Sequence, residues 1–294
     1  MIYVGALPRR GAVVARFWAL GLEASLTHRS RAARPLHASA AMLISDSLPT
    51  LSIILPAYNE ERRIGPTLQR IAAFMAGSGE PYELIVVDDG SADRTSAIVA
   101  EFAATHPATR LLAMPRNSGK GAAVRAGVLE SRGREVLFSD ADLSTPIAEL
   151  IRLRAALHAG ADLAIGSRAT PGAVTRTQPL LRRIQGGGFH LLTRLLGFHV
   201  VAAIADTQCG FKLFRGAAAR VLFRELTLAG FAFDVELLEL AHRRFQIAEV
   251  PVEWTHVGGS KVRPVVDAVK MLGDLLRIRF AWLRRGRPQL ALPQ

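Results

Sequence analysis

Two carboxylates one residue apart, Asp140 and Asp142 in Ser139-Asp140-Ala141-Asp142-Leu143, follow the apolar run Val136-Leu137-Phe138. Such neighbours repel each other, and a hard divalent cation, which prefers oxygen ligands, would relieve the repulsion. If the apolar run is a buried strand, the pair emerges where parallel α/β sheets hold their ligands, outside the carboxyl ends of the strands. A plainer role fits the same residues, because Asp and Ser ahead of Pro146 can start a helix. The motif alone leaves metal site and cap both open.

Three earlier stretches have similar character. In Pro56-Ala57-Tyr58-Asn59-Glu60-Glu61, proline ends the ladder of the first strand, and Asn59 with the acids can cap and charge the next helix. Tyr58 there offers a flat face to a base. In Val87-Asp88-Asp89-Gly90-Ser91-Ala92-Asp93, Gly90 permits a tight turn and Ser91 or Asp93 can cap, which leaves one of Asp88 and Asp89 without a structural job. An acid so placed commonly accepts hydrogen bonds from ribose hydroxyls or base N–H groups. Asn117-Ser118-Gly119-Lys120-Gly121-Ala122-Ala123-Val124-Arg125 lacks the spacing of a P-loop. Its small-residue helix start with Lys120 and Arg125 suits a diphosphate through the helix dipole, and equally suits close helix–sheet packing.

The elements that must position these residues follow from periodicity. Short apolar runs at 51–55, 84–87, 111–114, 136–138 and 163–165 alternate with helical patterns at 64–75, 96–104, 121–129 and 147–157. Fully apolar strands alternating with helices predict an α/β fold with a mostly parallel sheet covered on both faces. With 294 residues, half of them hydrophobic, the chain can build one large domain or two small ones. The single cysteine, Cys209, precludes an intrachain disulfide. A net charge of +12 points to a polyanionic partner: nucleic acid, phosphorylated substrate or anionic lipid surface. Aromatic content is low, with no basic-aromatic stacking platform, so no nucleic-acid partner is expected.

Residues 1–45 carry Arg9, Arg10, Arg16, Arg29, Arg31 and Arg34 against Glu23. We read 1–48 as a basic, loosely ordered arm or as a mis-assigned start, with translation beginning at Met42. Residues 49–261 form the expected catalytic domain, and 262–294 an amphipathic helix with a basic tail.

The ordered set Pro-Ala-Tyr-Asn-Glu, Val-Asp-Asp-Gly-Ser, Asn-x-Gly-Lys-Gly and Asp-Ala-Asp resembles the family 2 glycosyltransferases of GT-A fold. Gly166-Ser167-Arg168, the stretch from Asp206 to Lys212, and Gly258-Gly259-Ser260-Lys261 are similar to the dolichyl-phosphate β-glucosyltransferase branch and its bacterial polyprenyl-phosphate relatives. The resemblance covers about 51–262. It implies that Pro56, Tyr58, Glu60 and Asp88 line a nucleoside pocket, with Lys120 toward the diphosphate. Asp140 and Asp142 would hold Mg²⁺ or Mn²⁺ against the donor diphosphate, Asp142 as direct ligand and Asp140 shared between metal and ribose. Ser144 stands where related mannosyltransferases often supply a further ligand, a place water can fill.

The implied reaction is inverting transfer of glucose from UDP-glucose to dolichyl or polyprenyl phosphate. A phosphate monoester with its second pKa near 6 is largely dianionic at neutral pH, so it attacks without a general base. The cations expected to draw it in are Arg168, Lys212 and Lys261, each of which also reads as an ordinary surface cation. Asp234, in Phe233-Asp234-Val235-Glu236, occupies the place where relatives with hydroxyl acceptors keep a catalytic Asp. Here it would bind sugar hydroxyls, order the acceptor loop, or cap a helix over 237–244. The alternatives are the same reaction with GDP-mannose, a sugar-phosphate nucleotidyltransferase, and a membrane-bound nucleotide-sugar sensor. Against the second, no glycine-rich, Arg- and Lys-bearing loop follows the first strand.

The longest charge-free apolar stretch, 195–205, is shorter than the roughly 20 residues a span needs, so peripheral attachment to the cytoplasmic face is expected. Two amphipathic segments suit it. One covers 182–198. In the other, Arg263, Asp267, Lys270, Asp274 and Arg277 recur at four- and three-residue steps, leaving Val265, Val266, Val269, Met271, Leu272, Leu275, Leu276 and Ile278 for an apolar face. Arg279, Arg284, Arg285 and Arg287 follow around Phe280 and Trp282. Packing on the chain's own domain and docking on anionic lipid both fit this pattern.

Overall fold

The computed structural model describes residues 14–16, 48–176, 193, 195–198, 203–258 and 264–285. The strands are β1 (Val14–Arg16), β2 (Leu51–Ala57), β3 (Tyr82–Asp88), β4 (Thr109–Ala113), β5 (Glu135–Ser139), β6 (Leu163–Ser167), β7 (Val174–Arg176), β8 (Phe211–Arg215), β9 (Ile247–Pro251) and β10 (Glu253–Thr255). The helices are α1 (Ile64–Ser78), α2 (Thr95–Thr105), α3 (Lys120–Leu129), α4 (Leu150–His158), α5 (Gly216–Glu225), α6 (Phe233–Ala241) and α7 (Pro264–Arg285). Eight strands form one sheet in the order β1-β9-β6-β8-β5-β2-β3-β4, and β10 pairs with β7 beside it.

Each apolar run is continuous because its side chains serve two cores in alternation. Ile54, Ile85, Val87, Val136 and Phe138 pack toward α3, α5, α6 and α7. Ile53, Leu55, Leu84, Val86 and Leu137 pack toward α1 and α4. Strand order reverses around β2 and β5: β2 leads outward to β3 and β4, whereas β5 leads to β8, β6 and β9. This switch point is where an open α/β sheet leaves a crevice at its carboxyl edge. The expected mostly parallel sheet with helices on both faces is what forms.

One strand breaks the parallel pattern. β8 runs antiparallel between β5 and β6, and the apolar-run criterion passes over it because Lys212 and Arg215 interrupt its sequence. Pro56 also behaves differently from expectation. The ladder from β2 to β5 stops at Ile54↔Phe138, but that to β3 continues through Pro56↔Val87 to Ala57↔Asp88. Proline's missing N–H therefore costs pairing on one side only.

α7 buries Leu275, Ile278 and Trp282 against the core, and Phe198 packs edge-on to Trp282 at 5.8 Å. Val266 and Val269, assigned to the same apolar face by periodicity, are exposed. Most of the segment expected at 182–198 lies outside the described residues. Among the described residues no helix is long and apolar enough to cross a membrane.

Candidate functional site

The acidic pair lies in a loop that the surrounding chain fixes at several points. The Asp140 N–H donates to Gly210 O at 2.9 Å, and Thr67 Oγ1 donates to Ala141 O at 2.7 Å, tying the loop to β8 and α1. The Ser144 N–H donates to Asp142 Oδ1 at 2.9 Å, and Leu143 takes a positive φ of 46°, a strained choice for a branched residue. The short 3₁₀ turn that follows, Ile147–Glu149, has no side-chain cap, so the pair does not start the next helix.

Each acid faces a different cation. Lys120 Nζ, at the first position of α3, lies 2.7 Å from Asp140 Oδ1. Arg63 Nη1 is 3.9 Å from Asp142 Oδ2 and donates to Gly258 O at 3.0 Å. The other edge of that guanidinium grips Glu60, with Nε at 2.6 Å and Nη2 at 2.5 Å. Glu60 therefore reaches the acidic loop through Arg63. Gly210 has room for no side chain: a methyl group there would lie 2.0 Å from Asp140 Oδ2. The glycine forms the floor under the carboxylate.

Two adjacent carboxylates suit a hard cation, and no group of three His, Cys, Asp or Glu side chains is assembled for one among the described residues. The donor set fits an ion completed by water and phosphate oxygens, as Mg²⁺ commonly is.

At the ends of β2 and β3, two loops are zipped together. The Asn59 N–H donates to Ser91 Oγ at 2.8 Å and Asn59 Oδ1 accepts from the Ala92 N–H at 2.9 Å. Glu60 N donates to Thr95 Oγ1 at 2.8 Å, Glu61 N to Asp93 Oδ2 at 3.2 Å, and Glu61 Oε2 accepts from Arg94 N at 3.2 Å. Asn59 and Glu61 therefore do not cap α1, which begins without a side-chain cap at Arg63; they brace the neighbouring loop. Tyr58 emerges from this braced edge half-exposed.

Both acids of the second motif carry structural work, contrary to the expectation that one is spare. Asp88 accepts from the Ser91 N–H at 3.0 Å, from Ser91 Oγ and from Ser96 Oγ. Asp89 accepts from the N–H groups of Ser118, at 2.7 Å, and Gly119, at 2.9 Å, so it anchors the turn that presents Lys120. Burial pushes the Asp89 carboxyl up, against the pull of those two donors. Gly119, at φ 102°, packs so closely on Ala229 O that a methyl group would lie 2.5 Å away.

Behind Asp140 runs a chain of alternating charge. Lys212, expected as an exposed or phosphate-facing cation, is fully buried, and its ammonium donates to Asp234 Oδ1 and Cys209 O at 2.6 Å each. Asp234 is the second residue of α6, a helix that starts at Phe233, four residues earlier than the expected 237. It caps nothing; it neutralises Lys212. Burial pushes its carboxyl up while Lys212 and Lys120 pull it down. Lys120 feels burial in the opposite sense, but Asp140 and Asp234 outweigh it and hold the ammonium above its ordinary range. Both lysines lie over the Phe138 ring, with Nζ 5.3 and 5.9 Å from its centroid.

Arg168 is also committed. Its Nε and Nη2 hold Asp206 at 2.6 and 2.8 Å, and its guanidinium stacks 5.6 Å from the Trp254 centroid. Asp206 is held in turn by Glu249, which accepts the N–H groups of Ala205 and Asp206. Burial raises the Asp206 carboxyl, but Arg168 overrides this and sets it below the usual carboxylate range. Lys261 lies outside the described residues.

The structure thus joins Asp140, Lys120, Asp234 and Lys212 in one network, with Asp142 and Glu60 linked to it through Arg63. Arg63, Gly210 and Asp206 are contributors that sequence reasoning gave no role, and Asp89 anchors a turn rather than standing free for a nucleoside. A cation three residues after Glu60, and a glycine inside a quoted motif, were the available signals.

The family model described as Glycosyl transferase family 2 matches residues 52–223. The chain is 43% identical to the dolichyl-phosphate β-glucosyltransferase ALG5C of Trichomonas vaginalis, over 80% of this chain and 72% of that protein. It is 42% identical to the Drosophila melanogaster dolichyl-phosphate β-glucosyltransferase, over 80% of this chain and 74% of the relative. For the Saccharomyces cerevisiae counterpart the identity is 38%, over 79% and 75%. In fold it resembles glucosyl-3-phosphoglycerate synthase from Mycobacterium tuberculosis, solved with Mn²⁺, UDP and glucosyl-3-phosphoglycerate, at a TM-score of 0.57 and 22% identity, covering 82% and 81% of the two chains.

Proposed function

Because the chain belongs to glycosyltransferase family 2, among the dolichyl-phosphate β-glucosyltransferases, we propose that it moves glucose from UDP-glucose to dolichyl or another polyprenyl phosphate, inverting the donor linkage to give a β-linked lipid phosphate sugar. The observation that carries this reading is the acidic pair at the carboxyl end of β5 with Lys120 2.7 Å from Asp140. A Mn²⁺ and UDP complex of the solved neighbour supports a uridine nucleotide and a divalent ion.

Asp140 and Asp142 would hold Mg²⁺ or Mn²⁺, which would supply Lewis-acid stabilisation for a leaving diphosphate. Tyr58 offers its exposed ring to the base, with Pro56, Glu60 and Asp88 forming the braced edge beside it. Glu60 and Asp88 act mainly through what they hold, Arg63 and the loop from Ser91 to Ser96. Lys120 meets the diphosphate. Asp234 is occupied by Lys212, so it is not a general base, and a dianionic phosphate acceptor needs none. Lys212 contributes positive potential from beneath without touching the acceptor, and Arg168 and Lys261 are the cations we assign to the acceptor phosphate.

The acceptor is a lipid, and α7 offers a surface for its membrane. Val266, Val269, Phe280 and Leu283 are exposed, and with Gly273 and Leu276 they step along one stripe at three- and four-residue intervals. Lys270, Arg277 and Arg284, all exposed and seven residues apart, flank it. An apolar stripe edged by cations suits anionic lipid on the cytoplasmic leaflet. Flotation with anionic vesicles at low salt should carry the protein upward; a protein that stays unbound refutes the docking.

The test of the reaction combines purified protein, Mn²⁺, polyprenyl phosphate and radiolabelled nucleotide sugars in parallel. Label from UDP-glucose entering the organic phase is expected. Label from GDP-mannose alone would reassign the donor, and none from any donor would overturn the enzyme.

A further inference from the structure

We infer that Lys120 is an exchangeable counter-ion of the metal site: it neutralises Asp140 in the metal-free chain and swings to the diphosphate when a divalent ion and nucleotide bind. The inference rests on Asp140 and Asp142 being the metal ligands, and extends that reading to what the site does when empty of cation. At 2.7 Å, the ammonium stands on Oδ1 of Asp140 within the space that a divalent ion bound to the same carboxylate would contest. Two cations that close repel, and the ammonium, on a side chain only 22% exposed, is incompletely screened by water.

Three features let the ammonium leave without stranding a charge. Asp234 already acts on it from the protein side, so part of its stabilisation does not depend on Asp140. The Phe138 ring, 5.3 Å from Nζ, gives a second face that tolerates a cation. The backbone beneath cannot follow, because Gly119 and Gly121 are pressed against Ala229 O and Leu228 O, while Asp89 clamps the preceding N–H groups. Only the four-methylene side chain is able to move. Lys212 has no such choice: fully buried and spent on Asp234 and Cys209 O, it stays. The network thus contains one fixed and one movable lysine. The destination is set by charge, because a nucleoside diphosphate beside Asp140 and Asp142 needs a cation where Lys120 starts its helix.

The test measures Mn²⁺ affinity from the free-ion electron paramagnetic resonance signal, with and without saturating UDP. For Lys120→Met the expected result without UDP is Mn²⁺ binding tighter than wild type by about five-fold or more. With UDP present the advantage disappears, and UDP itself binds more weakly in the presence of Mn²⁺. Lys120→Arg, which retains the charge, should keep the wild-type Mn²⁺ affinity without UDP. Unchanged or weaker Mn²⁺ binding by Lys120→Met, equal tightening with and without UDP, or tightening by Lys120→Arg would each overturn the exchange. A wild-type protein that binds no Mn²⁺ in either condition would overturn the metal reading itself.

Discussion

Replacing Gly210 by alanine drives a methyl group into the carboxylate of Asp140. The new carbon would stand 2.0 Å from Oδ2, 2.3 Å from Cγ and 2.4 Å from Oδ1. The backbone cannot yield easily, because Gly210 O holds the Asp140 N–H and the next residue, Phe211, pairs with Ser139 across β8 and β5. Relief must come from the carboxylate, which has to move about 1.5 Å to restore a separation of about 3.5 Å from its present 2.0 Å. Its side chain is 36% exposed, so it can swing toward solvent. An off-rotamer carboxylate costs about 1 kcal/mol, which predicts only a small loss of thermal stability. Function should suffer more, because misplacing a catalytic group by about 1 Å typically costs about 10²-fold in rate. Initial rates of glucosyl transfer, Mn²⁺ affinity and melting temperature for Gly210→Ala are the assay, with Gly77→Ala as a control whose methyl meets nothing within 4 Å. Turnover close to wild type would refute the argument that Gly210 sets Asp140 for catalysis. So would a collapse of stability matching the loss of rate.

Acid should weaken the fold through Asp206. Its carboxyl is depressed relative to an unfolded-chain value near 3.9, so the stabilisation is complete above that pH and falls as pH drops toward the folded-state value. Urea midpoints from pH 6 downward should show this loss, and Arg168→Met should both lower the midpoint at pH 6 and flatten the decline. Cys209, whose thiol burial pushes up to about 11, should resist iodoacetamide at pH 8 in the native protein and react on unfolding; rapid native labelling would contradict its burial. Lys212→Met strands the buried Asp234 and should cost about 3–5 kcal/mol in urea unfolding, part of which Lys212→Met with Asp234→Asn recovers.

The fold was legible because short apolar runs alternating with helical patterns specify a mostly parallel sheet, and the order of the strand-end motifs marked the sheet edge where the candidate residues gather. What escaped was pairing at a distance. Asn59 and Glu61 look like caps from their own neighbourhood, yet their partners lie thirty-three residues away at Ala92 and Arg94. Asp89 seemed spare because the turn it anchors, at Ser118, belongs to another strand end. Lys212 reads from the sequence as a phosphate-facing or plain surface cation, but a buried acid from α6 makes its interior position possible. β8 was missed for the same reason, since Lys212 interrupts its apolar pattern. On α7 the period was read correctly, but its apolar residues divide between the core and an exposed stripe, a division set by where Phe198 packs on Trp282.

The most direct measurement compares UDP-glucose-dependent labelling of polyprenyl phosphate by the wild type and Asp142→Asn. Asp142 is partly exposed, and its Oδ1 accepts only a local N–H that an asparagine oxygen can accept equally well. The variant should therefore unfold at the wild-type urea midpoint while transferring no label above background. Transfer at the wild-type rate by a folded Asp142→Asn would contradict the metal-assisted reaction assigned to the acidic pair.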